Sequence, residues 1–194
     1  MCRRLLCYGD SNTYGYDPRS YLGSRYPESV RWTGLLKASG LDVINEGENG
    51  RSIPSQDWEI ETAAGMVRRS MAEVVVVMLG SNDLLHCSDL SAEICGKRMK
   101  KFLTVLLEKA QADLKILLVT PPPMAAGTWV NDQRTLEESH RLAGYYEMVA
   151  RLLGIDFADA GTWGVGLTYD GVHFSEQGHL AFAKGIQKAL EPLL

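Results

Sequence analysis

The sequence predicts an α/β fold in which a parallel β-sheet is covered by helices on both faces. Three observations carry that expectation. Short runs of β-branched and apolar residues alternate with longer stretches of helical periodicity. One run, Val74-Val75-Val76-Val77, is apolar at every position, the pattern of a strand buried on both faces. The rhythm is broken by neither an internal repeat nor a linker, so right-handed βαβ crossovers are expected to join the strands.

Taken in order, the first strand is predicted over residues 4–8, before Gly9-Asp10 end the apolar stretch. A helical pattern at 32–39 leads to a second strand at 42–45, and a helix at 60–71 leads to the Val-rich third at 74–79. The helix predicted over 92–112 places Met99, Phe102, Leu103, Leu106 and Leu107 at helical spacing. A fourth strand at 115–120, a helix at 136–153, a fifth strand at 156–158 and a helix at 176–193 complete the chain. Two irregular segments, 14–31 and 121–134, follow predicted strands and hang over the carboxyl edge of the sheet, where open α/β sheets bind ligands. They are either walls of a site or plain surface loops.

The chain has 194 residues, 45% of them hydrophobic, which fits one domain spanning 1–194 with a core that needs no staples. Charged residues at 23% and aromatics at 8% exclude a disordered or fibrous chain. Twenty basic against 24 acidic residues leave a net charge of −4. The densest basic patches are only Lys97-Arg98 with Lys100-Lys101, and Arg68-Arg69. No nucleic-acid partner is therefore expected. The longest apolar run, 74–79, falls far short of the roughly 20 residues that span a bilayer, so no membrane partner is expected either. The N-terminus lacks the apolar region of about 7–15 residues that a secretory signal requires. Cys2, Cys7, Cys87 and Cys95 form no C-x-x-C pair, so reduced thiols and a cytoplasmic location are expected.

Four segments hold the polar residues that can carry chemistry. Gly9-Asp10-Ser11-Asn12-Thr13 follows the first strand, where a sharp turn can project the Ser11 hydroxyl over the sheet edge. Thr13 stands where a G-x-S-x-G elbow would have its second glycine, and Asp10 or Ser11 can equally cap a helix. Asn49-Gly50 is a turn dipeptide after the second strand, and Gly50 can offer a bare backbone N–H to a substrate oxygen. In Gly80-Ser81-Asn82-Asp83, closing the third strand, Asn82 can aim its amide into the same crevice, or one of the three polar residues can cap a helix.

Asp170-Gly171-Val172-His173 precedes the last helix. An Asp three residues ahead of a His can accept the imidazole Nδ1–H and leave Nε2 as a base, although His173 can also be a buried, satisfied residue. A serine, two oxyanion donors and an Asp-x-x-His pair are together what acyl transfer needs. His86, His140 and His179 lack such company and read as structural or exposed.

Gly9-Asp10-Ser11, Gly50, Gly80-x-Asn82-Asp83 and Asp170-x-x-His173 resemble, in order and spacing, the four signature blocks of the SGNH (GDSL-type) hydrolases. Arg31-Trp32-Thr33-Gly34, Glu46-Gly47, Met78-Leu79-Gly80-Ser81-Asn82-Asp83, Pro121-Pro122-Pro123, Asp159-Ala160-Gly161 and His173-Phe174-Ser175-Glu176 are similar to the arylesterase/acyltransferase branch. Asn12 departs from the Leu in the family's short name. The resemblance implies Ser11 as nucleophile, His173 as general base and then acid, and Asp170 as the residue orienting it. It also implies an oxyanion hole made by the Ser11 and Gly50 N–H groups and the Asn82 side chain. The implied fold is a flavodoxin-like three-layer α/β/α sandwich on a five-stranded parallel sheet, with no metal and no organic cofactor.

The function implied is a serine esterase that hydrolyses or transfers short acyl groups of small esters. A carbohydrate O-acetyl esterase is the alternative. A non-catalytic flavodoxin-like binding domain would use the Gly9–Thr13 turn for phosphate but has no task for Asp170 and His173. Tyr14, Tyr16, Trp58, Trp129, Trp163 and Phe174 lie near strand ends and can wall a small pocket, pack the core or meet a second subunit. Tyr14, Tyr16, Tyr21, Tyr26 and Trp32 in or beside one loop, and Met124, Trp129 and Val130 in the other, point to a homo-oligomer with the loops at its interface. A lid folded onto its own subunit is the alternative.

Overall fold

A computed structural model of the chain describes residues 4–20, 22, 24–87, 89–110 and 113–194. Five strands, β1 (Arg4–Gly9), β2 (Asp42–Gly47), β3 (Val74–Met78), β4 (Lys115–Thr120) and β5 (Asp156–Asp159), form one parallel sheet in the order β2-β1-β3-β4-β5. In β1 side chains alternate between faces, as the two-residue period of a strand requires. Leu6 and Tyr8 enter one hydrophobic cluster, Leu5 and Cys7 the other.

The helices divide accordingly. α2 (Trp32–Ala38) and α7 (Glu176–Leu190) cover the Leu5/Cys7 face, packing Trp32, Leu36, Phe182 and Ile186 against it. α3 (Asp57–Ser70), α5 (Ala92–Lys109) and α6 (Gln133–Leu153) cover the other with Ile60, Met99, Phe102 and Tyr146. The result is the three-layer α/β/α sandwich that the sequence predicts. All five β3 residues are buried, as the uninterrupted apolar run requires.

Each predicted strand and long helix is present, with ends shifted by a few residues. α3 and α6 begin three residues early because their caps lie outside the apolar stripe. Gln56 and Glu59 form a capping box at α3, and Asp132 accepts the Thr135 N–H at α6. α5 stops at Lys109 and α7 at Leu190, short of the predicted ends. Residues 111 and 112 of the predicted helix lie outside the described residues, as do Cys2 and Tyr21. The sequence pattern missed the short helices α1 (Ser11–Tyr14) and α4 (Ser81–His86) and a 3-10 turn at Ala160–Thr162, which are too short to display a period. α1 and α4 start at the carboxyl edge of the sheet, after β1 and β3. The chain runs outward from β1 to β2 and returns to β3 on the other side of β1, so a crevice opens between the ends of β1 and β3.

Candidate active site

Ser11 is the first residue of α1, directly beyond β1. Asp10 caps the helix, its carboxylate accepting the Asn12 N–H at 2.9 Å. The capping role and the projecting serine, alternatives in the sequence, therefore coexist: Asp10 holds the turn and Ser11 lines the crevice. The Ser11 amide sits in the first turn, where N–H groups have no intrahelical acceptor.

His173 arrives from the loop before α7. Its Nε2 lies 3.0 Å from the Ser11 hydroxyl and its Nδ1 lies 2.7 Å from Asp170 Oδ2. Asp170 is fully buried. Its other oxygen accepts the backbone N–H groups of Val172 and His173, both at 2.9 Å, and the Thr168 hydroxyl at 2.8 Å. Burial alone would raise the Asp170 carboxyl, but the hydrogen bonds from His173 and Val172 outweigh it and hold the pKa at about 2. Asp170 is thus an ionised acceptor that fixes the imidazole with Nε2 toward Ser11.

Asn82, on α4, donates from Nδ2 to the Arg51 carbonyl at 3.0 Å. A side-chain amide carries two hydrogens, so this bond orients the second while leaving it available to the cleft. Gly80, before α4, has a φ of 124°, and a Cβ there would meet Tyr146 Oη at 2.6 Å. Only glycine fits. The helix-cap alternative for Ser81, Asn82 or Asp83 is not what the fold uses, because Gly80 is the N-cap and no side chain caps the turn. Asp83 instead accepts the Ile53 N–H at 2.9 Å and pairs with Arg98 at 3.2 Å, tying α4 to the segment after β2. Gly50, in that segment, adopts a φ of 77° that favours glycine.

Ser11, Gly50, Asn82 and His173 line one cleft of about 270 Å³, together with Tyr16, Asn49, His86 and Trp129. The structure brings Ser11, Asp170 and His173 into one hydrogen-bonded relay and places Gly50 and Asn82 around the same space. That arrangement can transfer a proton from a serine hydroxyl and hold an oxyanion.

Several residues were not legible as functional. Arg51 is half-buried beneath the loop; its guanidinium bonds the Gly9 and Glu46 carbonyls and Glu48, and lies 4.3 Å from the Tyr8 ring centre. The adjacent Asn49-Gly50 turn was its only signal. His86 is exposed, as expected, yet lines the cleft. His179 is buried against Tyr26 and Phe174; burial, and then the Arg31 charge, push its pKa down to about 4.

The aromatic residues sort into separate environments. Tyr16 and Trp129 flank His173, with ring centres 4.7 and 5.0 Å away. Phe174 belongs to the core, Trp163 packs on Phe182, and Tyr14 lies under Arg25. Tyr26, Trp32, Met124 and Val130 are buried within their own chain.

The site can be set beside known proteins. Residues 7–181 match the family described as GDSL-like lipase/acylhydrolase. A carbohydrate acetylesterase from Sinorhizobium meliloti superposes with a TM-score of 0.86 at 26% identity, covering 99% of this chain and 100% of that one. A carbohydrate acetylesterase family member from the same organism gives 0.83 at 29%, covering 98% and 96%. The native aryl esterase of M. smegmatis gives 0.79 at 26%, covering 97% and 100%. No curated protein is significantly similar. With the match running from within β1 into α7, the chain belongs to the GDSL-like lipase/acylhydrolase family, the SGNH hydrolases, and is a carboxylic ester hydrolase.

Proposed function

We propose that the enzyme hydrolyses small esters of short acyl groups through an acyl-enzyme on Ser11. The observation that carries this reading is the Asp170–His173–Ser11 relay, with contacts of 2.7 and 3.0 Å at the floor of the cleft. His173 Nε2 takes the hydroxyl proton as Ser11 Oγ bonds the acyl carbon, and the carbonyl electron pair moves onto oxygen. The Ser11 and Gly50 N–H groups and the Asn82 amide hold that oxyanion, where donors count most because the charge exists only in the transition state. Collapse breaks the bond to the alcohol oxygen, which leaves with the proton from Nε2. Water, deprotonated by His173, then releases the acid and restores Ser11. Asp170 stays ionised and stabilises the imidazolium.

The 270 Å³ cleft and the flanking rings of Tyr16 and Trp129 support short acyl groups. Acetylated carbohydrate is the second reading, supported by the carbohydrate acetylesterases of similar structure. An aryl phosphonate tests the mechanism: a mass gain confined to Ser11, abolished in Ser11→Ala, is expected. Ser11→Ala retaining a substantial share of the wild-type rate would remove Ser11 as nucleophile. Incubation with an ester and a competing alcohol reports the share of acyl transfer.

Assembly and location belong to the same proposal. A homo-oligomer is supported by the exposure of Leu22 and Trp129 on the two loops at the mouth of the site. A cytoplasmic location is supported by free Cys7, Cys87 and Cys95. Among the described residues no helix is long and apolar enough to cross a membrane.

A further inference from the structure

We propose that a groove continuing the cleft past Gly50 is a saccharide subsite, with Trp58 as its stacking platform. This deepens the reading of Ser11 as the acyl acceptor and rests on it. The catalytic cleft, at about 270 Å³, lies just below the usual range of ligand sites, which run from about 300 to 1,000 Å³. Asn49 and Gly50 form its wall on one side and also line a neighbouring groove of about 470 Å³. Trp58, in the first turn of α3, stands beside that groove with 69% of its surface exposed. The floor is stiff: Tyr8 closes it from the end of β1, under the Arg51 guanidinium.

The lining selects among ligand classes. Among the described residues Arg51 is the one cation lining the groove, and its hydrogen bonds already go to Gly9, Glu46 and Glu48. An anionic ligand would find no uncommitted positive charge and would face Glu48 and Glu59. An alkyl chain could lie on Trp58, Met66 and Pro54, but it would cover the Asn49 amide and the Ser52 hydroxyl without replacing their bonds to water. A pyranose presents an apolar face and a rim of hydroxyls. It suits an exposed indole bordered by an amide, a hydroxyl and carboxylates. With an acetyl ester at Ser11, the sugar chain would run from the cleft over Gly50 onto Trp58.

The test has a binding arm and a kinetic arm. In Ser11→Ala, cellobiose and xylobiose should change tryptophan fluorescence saturably, and Trp58→Ala in that background should abolish the change. In the active enzyme, kcat/KM for the monoacetylated disaccharides divided by that for 4-nitrophenyl acetate should fall at least tenfold in Trp58→Ala. An unchanged ratio with no fluorescence response to either sugar overturns the subsite. So does a ratio that falls only for 4-nitrophenyl hexanoate, which makes the groove an alkyl site, or a change in assembly mass alone, which makes Trp58 a subunit contact. Failure of the Ser11 mechanism would instead appear as hydrolysis surviving Ser11→Ala, which leaves the binding arm readable.

A different observation carries a second inference: the geometry points to Asn12 as a positioning residue for His173. Buried next to the nucleophile, it donates from Nδ2 to Val172 O at 3.1 Å and accepts the Phe174 N–H at 2.9 Å. Its own N–H bonds Asp10, and its carbonyl accepts Trp32 Nε1–H at 3.0 Å. One side chain thus clasps the backbone on both sides of His173 and sets the loop at a fixed distance from α1. A leucine can do neither. Asn12→Leu should lower kcat about 10²-fold with KM within twofold, since misplacing a catalytic group by about 1 Å costs that much. Phosphonate acylation of Ser11 should slow in parallel. Asn12→Asp keeps the bond to Phe174, so it should recover part of the rate. A lowered Tm with wild-type kcat per folded molecule in both variants overturns the assignment.

Discussion

At the scale of single residues, the site sets two buried aspartates against each other. Asp170 is held near pKa 2, while Asp10, capping α1, is raised to about 6, chiefly by burial and against its hydrogen bond from Asn12. For Asp10 the folded pKa exceeds the unfolded one, so the native state binds the extra proton between about pH 4 and 6. Stability from this group is complete below pH 4 and is lost as pH rises through 6, a loss on the order of 2–3 kcal/mol. Asp10→Asn keeps an acceptor for Asn12 and removes the charge. It should therefore unfold at a higher urea midpoint than wild type at pH 8, with the gap closing by pH 4. A gap that is the same at both pH values would show that the carboxylate carries no such cost. Asn82 acts only when charge develops: Asn82→Ala should lower kcat about 10²–10³-fold with little change in KM. A normal kcat with weaker binding would make Asn82 a substrate contact.

Among the elements, the short helices are held from outside because one turn cannot hold itself. α4 depends on Asp83, whose carboxylate reaches across to Ile53 and Arg98. Asp83→Ala leaves the buried Ile53 N–H unpaired and should cost about 2–3 kcal/mol in urea unfolding. Because the Gly50 segment leads into Ile53, the same variant should lose activity well below its unfolding midpoint. A stability loss with full activity would separate the tether from the site. The loop before α6 is bound to the triad loop by Ala125 N–H to Gly171 O, Thr128 N–H to Tyr169 O and Trp129 N–H to Asp170 O. Trp129 therefore takes its place beside His173 from the backbone of its own subunit.

At the scale of the whole molecule, the same bonding divides the aromatic residues read as an interface. Tyr26, Trp32, Met124 and Val130 pack inward, and Trp129, Leu22 and Tyr169 stay exposed. Light scattering at micromolar concentration should give a mass above 21.4 kDa, and Trp129→Ala should lower it while broadening acyl-chain tolerance. A monomer in that range would sink the assembly, and the loops would then be a lid on their own cleft.

The strands, the long helices, the sheet's two buried faces and the residues of the relay were legible along the chain. Their signals are local: an apolar run, a helical stripe, a turn glycine, an Asp three residues before a His. What the chain order could not convey is which strand ends meet. Sheet order β2-β1-β3 brings Ser11 and Asn82, 71 positions apart, to one crevice, and the loop before α7 returns His173 to Ser11. Asn12 stood out only as a departure from a motif letter, and Arg51 carried no signal beyond the turn beside it, because their partners, Val172, Phe174 and the Gly9 and Glu46 carbonyls, come from other segments. Trp58 showed no periodic signal that would separate core from groove; burial of its neighbours, not its own position in the sequence, left its ring in water. Hydrogen bonds and cavities belong to pairs of surfaces, and those pairs form only when the sheet closes.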